Sequence, residues 1–155
     1  SSDVCSSDLK KNKILIYFGS AINLKLLTFI LANLIGALEQ SGNTQLSILI
    51  YCSKKSKKYK RLKKILGKDI FYNQATLIDD IDTHLNETLF VIGSASTILY
   101  ETSFLNIPMI TLAMNKSQEN SDWQLERLGH FINFQNLREL YSPKIKNLLL
   151  HYFPP

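Results

Sequence analysis

Gly93, Ser94, Ala95, Ser96 and Thr97 form an unbroken run of small residues, and Glu101 follows a few positions on. Small side chains let a ligand come close to the backbone. Ser96 or Thr97 can cap a helix and offer a hydroxyl, and the free amides of the helix's first turn attract an anion such as a phosphate. Glu101 lies about one turn further along, where a carboxylate can accept hydrogen bonds from vicinal hydroxyls such as those of a ribose. The same residues also read as ordinary helix caps with a dipole-compensating acid. Spacing alone leaves both readings open.

The elements that must position this loop are legible around it. The segment LFVIGSASTILYETSFLNIPMITLAM, from Leu89 to Met114, reads as strand, loop, helix and strand. Leu99, Phe104 and Leu105 can share one helical face, and Pro108 stands where a helix has ended. Uninterrupted apolar strands on both sides of a helix point to parallel strands buried on both faces. In such sheets, ligands sit at the carboxyl ends of the strands, the edge on which the Gly93 loop falls. A second unit of this kind opens the chain, with KILIYF (Lys13 to Phe18) as strand and Gly19 and Ser20 as the turn. Leu24 to Leu38 then shows a wide apolar stripe at helical spacing.

The segment from Val91 to Phe134 resembles the nucleotide-binding half of GT-B-type proteins, the two-domain sugar-nucleotide glycosyltransferases. Within them it is most similar to the nucleotide-sugar hydrolases of pseudaminic acid biosynthesis and the related spore-coat polysaccharide proteins. The resemblance rests on Gly93, Ser96, Thr97, Tyr100 and Glu101, then Pro108, Gln118 with Asn120, and Gly129. It implies that Gly93, Ser94, Ser96 and Thr97 hold a diphosphate and that Glu101 holds the ribose. It also implies that Gln118, Glu119 and Asn120 face the sugar or phosphate. These three follow a strand that ends near Met114, and amides suit sugar hydroxyls because they both donate and accept. The family's first loop is a glycine-rich FGGxD-like turn facing the ligand, which here reads FGSAIN. Gly19 and Ser20 are therefore further phosphate-binding candidates, although a plain connecting turn is their first reading.

Between these units, QLSILIYC (Gln45 to Cys52) reads as a buried strand. Next comes SKKSKKYKRLKKILGKD, the chain's one dense charge cluster. Leu62, Ile65 and Leu66 fall at helical spacing, so its lysines read first as the wet face of an amphipathic helix. A nucleic-acid patch, with Tyr59 interrupting the basic run, is the lesser reading and stays open as a rival, as does attraction to an anionic membrane surface in peripheral association. Asp69 to Asn73 is expected as a short strand and Ala75 to Asn86 as a helix. The resemblance places Phe71, Tyr72 and Asn73 near the base. Asp79, Asp80 and Asp82 lack the glycine turn and terminal Glu of a calcium loop, so no metal is expected. His84 reads as a surface histidine. Ser121 to Gly129 reads as a capped helix, Phe131 to Phe134 as the last strand, Gln135 to Tyr152 as a closing helix, and Trp123 as core filler.

The 155 residues carry 18 Lys plus Arg, 13 Asp plus Glu and a formal net charge of +5. The opening SSDVCSSDL carries no positive charge and no apolar core follows it at once, so it is not a secretory signal, and residues 1–10 are expected to be a non-native or disordered leader that takes Cys5 with it. That leaves 11–155 as a single domain, with Cys52 as a small core residue and no disulfide or zinc spacing. No apolar run is long enough to cross a bilayer, which leads to a cytoplasmic expectation. The expected architecture is α/β: a Rossmann-like three-layer sandwich of about six mostly parallel strands, one half of a GT-B fold. The expected ligand is UDP or a UDP-sugar, handled by a glycosyltransferase or nucleotide-sugar hydrolase, with no cofactor and no nucleic acid as partner; the alternatives are a non-catalytic sugar-nucleotide or partner-binding module and, behind it, a nucleic-acid-binding domain. The resemblance implies an amino-terminal half with the activating histidine. Neither His130 nor His151 sits in the matched loops, so the chain by itself is expected to be inactive, a fragment or one half of a split enzyme.

Overall fold

The computed structural model describes residues 11–19, 23–42, 45–69, 72–94, 105–112 and 131–134, and for 41, 111–112 and 131–134 the backbone alone. Six strands form one sheet: β1 (Lys13–Tyr17), β2 (Ser47–Tyr51), β3 (Ala75–Ile78), β4 (Thr88–Gly93), β5 (Met109–Leu112) and β6 (Phe131–Phe134). Their spatial order is β3-β2-β1-β4-β5-β6. Every neighbouring pair is parallel. β1 is central because its KILIY sequence can be buried on both faces: Ile14, Leu15 and Ile16 are at most 1% exposed.

Side-chain alternation along the strands separates two cores. On one face Ile14, Ile16, Ile48, Ile50, Phe90 and Ile92 pack against two helices, α1 (Leu24–Ser41) and α2 (Lys58–Lys68). On the other, Leu15, Leu49, Val91 and Met109 join Leu85 and Ile107. The whole stripe read from the α1 sequence, from Leu26 to Leu38, is buried. Each such side chain contributes about 1.5–3 kcal/mol on leaving water, so α1 is held by packing more than by propensity. Its ends are also specified. Asn23 accepts the amides of Lys25 and Leu26 at 3.0 and 3.1 Å, and Gly42, at φ 72°, returns its amide to the Glu39 and Leu38 carbonyls.

The stretch after α2 differs from the sequence expectation. The strand is Ala75–Ile78, paired with Ile48 to Tyr51, and not Asp69 to Asn73. The expected helix from Ala75 to Asn86 is replaced by this strand, a turn and a 3-10 segment (Leu85–Glu87). Two causes are visible. β3 is a sheet edge, half-buried, so it lacks the apolar run that marks β1, while Leu77, Ile78, Ile81 and Leu85 also fit a helical stripe. Asp80 then accepts the Asp82 amide at 3.0 Å, a local turn that competes with a helix. The remaining strand boundaries move by one or two residues, and β6 falls on Phe131–Phe134 as expected. The expected helices at 121–129 and 135–152 lie outside the described residues.

Because Asn23 satisfies two amides at the start of α1, Asn23→Ala should destabilise the fold by about 1 kcal/mol. Urea unfolding would show this as a lower midpoint with an unchanged slope.

Candidate functional site

Strand order decides where a ligand can sit. From β1 the chain moves outward through β2 and β3, then crosses to β4 and continues outward through β5 and β6. The direction of winding therefore reverses between β1 and β4, and the crevice of such a sheet opens beyond the carboxyl ends of those two strands. Gly19, two residues past β1, and Gly93 with Ser94, at the end of β4, stand side by side there. Residues more than 70 positions apart in sequence thus share one edge.

Both glycines have a reason in the backbone. Gly93 pairs with Tyr17 on one side and Thr111 on the other, and a Cβ on Gly93 would fall on the Tyr17 carbonyl oxygen. The close approach served by this glycine is that of one strand to another. Gly19 adopts φ 59°, a left-handed turn that L side chains resist, and a Cβ there would make only an ordinary contact with the Tyr17 ring. Ser94 is 2% exposed, so the residue that opens the loop is already inside the protein.

Three neighbours of this edge were not singled out in the sequence. Tyr17 and Tyr51 end β1 and β2 with stacked rings, their centroids 4.7 Å apart. KILIY and SILIY run in matched register, a repeat that could have shown the pair in advance. Asn23 caps α1 at the same edge, and it occupies with its own carbonyl two amides that an anion would otherwise use. Beyond β2 the chain enters the lysine-rich segment, where Lys54 meets Asp79, the residue after β3, at 3.5 Å. Both partners are largely exposed, so the pair adds little stability. The lysines give this edge a positive field that favours anionic ligands.

Cys52 follows β2 and is buried. Burial pushes its thiol above the ordinary value, against the opposing pull of a Ser56 hydrogen bond and the Lys58 charge. It is a protonated core side chain at neutral pH, in line with the sequence reading.

Of the other candidates, Ser20, Ser96, Thr97, Glu101, Gln118, Glu119 and Asn120 lie outside the described residues, as do Phe71, Tyr100 and Trp123. β5 ends at Leu112 on the carboxyl edge, next to β4. Tyr72 and Asn73, expected near the base, precede β3 and so belong to the opposite edge. That correction follows directly from the displaced strand. His84 is also at the amino edge, where its carbonyl accepts the Thr88 hydroxyl at 2.8 Å. Among the described residues no group of His, Cys, Asp or Glu could hold a metal ion. A cavity of about 390 Å³ lined by Lys11, Leu85, Asn86, Leu105 and Ile107 opens before the starts of β1, β4 and β5, away from the switch point.

This geometry has counterparts of known structure. The spinosyn rhamnosyltransferase SpnG superimposes with a TM-score of 0.62 over 93% of this chain, at 13% identity. A glycotransferase of kitacinnamycin gives 0.64 over 96%, at 8% identity. The chain spans only 37% and 36% of those two proteins. The C-terminal CMP-Kdo binding domain of WaaA from Acinetobacter baumannii gives 0.56 over 95% of this chain and 84% of its own length, at 13% identity. No protein-family model matches the sequence, and no curated protein does. The fold is that of a Rossmann-like half of a GT-B glycosyltransferase, and the part matched in WaaA is the carboxyl-terminal one.

Two consequences can be measured. Gly93→Ala forces β1 and β4 apart and should cost about 3 kcal/mol, the upper range for inserting a methyl into a packed interior. Gly19→Ala strains only its own backbone, at about 1–2 kcal/mol. Equal losses in urea unfolding would contradict this assignment. In a Cys5→Ser background, Cys52 should react with a thiol reagent at neutral pH only as fast as the protein opens, and full denaturation should make labelling immediate.

Proposed function

We propose that this chain is the nucleotide-sugar-binding domain of a glycosyltransferase or nucleotide-sugar hydrolase, and that UDP or a UDP-sugar is its ligand. One observation carries the reading: the reversal of winding between β1 and β4 sets the Gly19 turn and the Gly93–Ser94 strand end beside each other at the carboxyl edge of a GT-B half. The loop that begins at Ser94 supplies Ser96 and Thr97, which hold the diphosphate by hydroxyls and backbone amides. Gly19 and Ser20 approach it from the β1 side. Glu101 accepts the ribose hydroxyls, and Gln118, Glu119 and Asn120 meet the sugar.

The chemistry asked of this half is electrostatic. When a sugar leaves its nucleotide, negative charge grows on the diphosphate, and fixed dipoles with hydroxyl donors stabilise that charge without reorganising. Lysines after β2 raise the local concentration of the anionic substrate. Residues 11–155 act as one domain with an amino-terminal half that supplies the acceptor site or the activating histidine. In support, the chain spans 36–37% of two of the glycosyltransferases it resembles. Cell-surface polysaccharide synthesis in the cytoplasm is the setting that the resemblance suggests. Among the described residues no helix is long and apolar enough to cross a membrane.

Calorimetric titration of the purified chain tests this reading. UDP should bind saturably and more tightly than CDP or GDP. Glu101→Ala should weaken UDP by about 10- to 100-fold, the loss of a charged hydrogen-bond acceptor, with an unchanged melting temperature. A folded chain that gives no heat with any nucleotide would count against the proposal, as would a Glu101→Ala variant that loses stability and keeps its affinity.

A further inference from the structure

Half of the chain's 18 Lys and Arg residues fall between Lys54 and Lys68, with no Asp or Glu among them. All of these cations are exposed, whereas Leu62 in the middle of α2 is fully buried. Lys57, Lys60, Arg61, Lys64 and Lys68 recur at intervals of three and four, so they form one stripe along the outer side of the helix.

This arrangement works against the helix that carries it. Lys57 with Arg61, Lys60 with Lys64 and Lys64 with Lys68 are like charges one turn apart, and each pair opposes helix formation. The first turn of α2 contains no acid, and Lys57 at its N-cap makes no side-chain capping bond. Cations at that end also oppose the helix dipole. The helix persists because Leu62, Tyr59 and Leu66 pack into the core beneath it. Packing would be served equally well by a mixed-charge surface, so neither fold nor helix stability accounts for the unmixed positive stripe.

We propose that α2 and the lysines leading into it form a docking surface for an anionic lipid bilayer. Two observations favour a bilayer over a nucleic acid. All but one of the cations are lysines, compact point charges suited to a fluid anionic surface, and only Arg61 offers the fork that grips a phosphate or base edge. The sole aromatic side chain of the segment, Tyr59, is partly buried against the core, so it is held by packing and not displayed on the basic stripe where a base would stack. The lysine-rich segment leaves β2 at the carboxyl edge, so its first cations, Lys54 and Lys55, lie on the same edge as Gly19 and Gly93, while the α2 stripe runs back across the layer. The proposal stands whether or not that edge binds a nucleotide.

The test is cosedimentation of the full chain with vesicles of phosphatidylcholine containing about 30% phosphatidylglycerol, beside vesicles of phosphatidylcholine alone. The chain should partition onto the anionic vesicles only, and salt at about 0.5 M should release it. A Lys57→Gln, Lys60→Gln, Lys64→Gln variant should bind about 100-fold more weakly, at roughly fivefold per lysine. Its melting temperature should be equal or higher, because like charges have been removed. Three results would overturn the proposal: no partition of the wild type onto anionic vesicles, undiminished partition of the folded variant, or tighter binding to duplex DNA or single-stranded RNA than to vesicles at equal phosphate concentration.

Discussion

The contact on which the structure turns is the pairing of β1 with β4. These strands are distant in sequence, and their carboxyl ends lie so close that Gly93 has no room for a side chain beside the Tyr17 carbonyl. Through this pairing the β1-β2-β3 half and the β4-β5-β6 half become one sheet, and the winding reverses. In sheets of this kind such a reversal marks where a crevice can open. The same glycine that closes the sheet therefore stands at the switch point, and its packing role and its position there have one cause.

The two edges of the sheet do different work. The amino edge is stitched together by its own groups: the Asn12 amide donates to the Glu87 carbonyl, Ser47 to Asn12, and Ile48 to Gln74. Thr88 is buried with its hydroxyl on the His84 carbonyl, and Lys13 reaches Glu87 at 3.5 Å. That edge is a latch between strands. At the carboxyl edge, the left-handed turn of Gly19, helix amino termini and cations gather instead, a collection suited to receiving an anion. A parallel sheet produces this division because all strands run the same way, so every strand-to-helix turn falls on one edge.

The positive charge is likewise segregated by the fold. Leu62 fixes which side of α2 faces inward, and the lysines have only the outside left to them. Their field reaches two surfaces: the carboxyl edge beyond β2 and the outer face of the helix. Both suit anionic partners, which makes a basic domain physically consistent with substrates and surfaces rich in phosphate.

The residues alone determined much of this. KILIY, SILIY and LFVIG are apolar without alternation, which only a strand covered on both faces tolerates, and that property implied a parallel α/β sheet before any pairing was known. The α1 stripe from Leu26 to Leu38 and the inward Leu62 were equally legible, because helical periodicity is local. β3 was not, because an edge strand is defined by the neighbour it pairs with; ATLI has no pattern that outweighs the helical spacing running through it into Leu85. With β3 displaced, Tyr72 and Asn73 moved to the wrong edge for a ligand. The Gly93 candidate was correctly placed at the carboxyl edge, yet its partner, the Tyr17 carbonyl, is a long-range contact that no local pattern encodes. Local chemistry chose the elements and their buried faces; the order of the strands, which decides what stands beside what, was settled only when the chain packed.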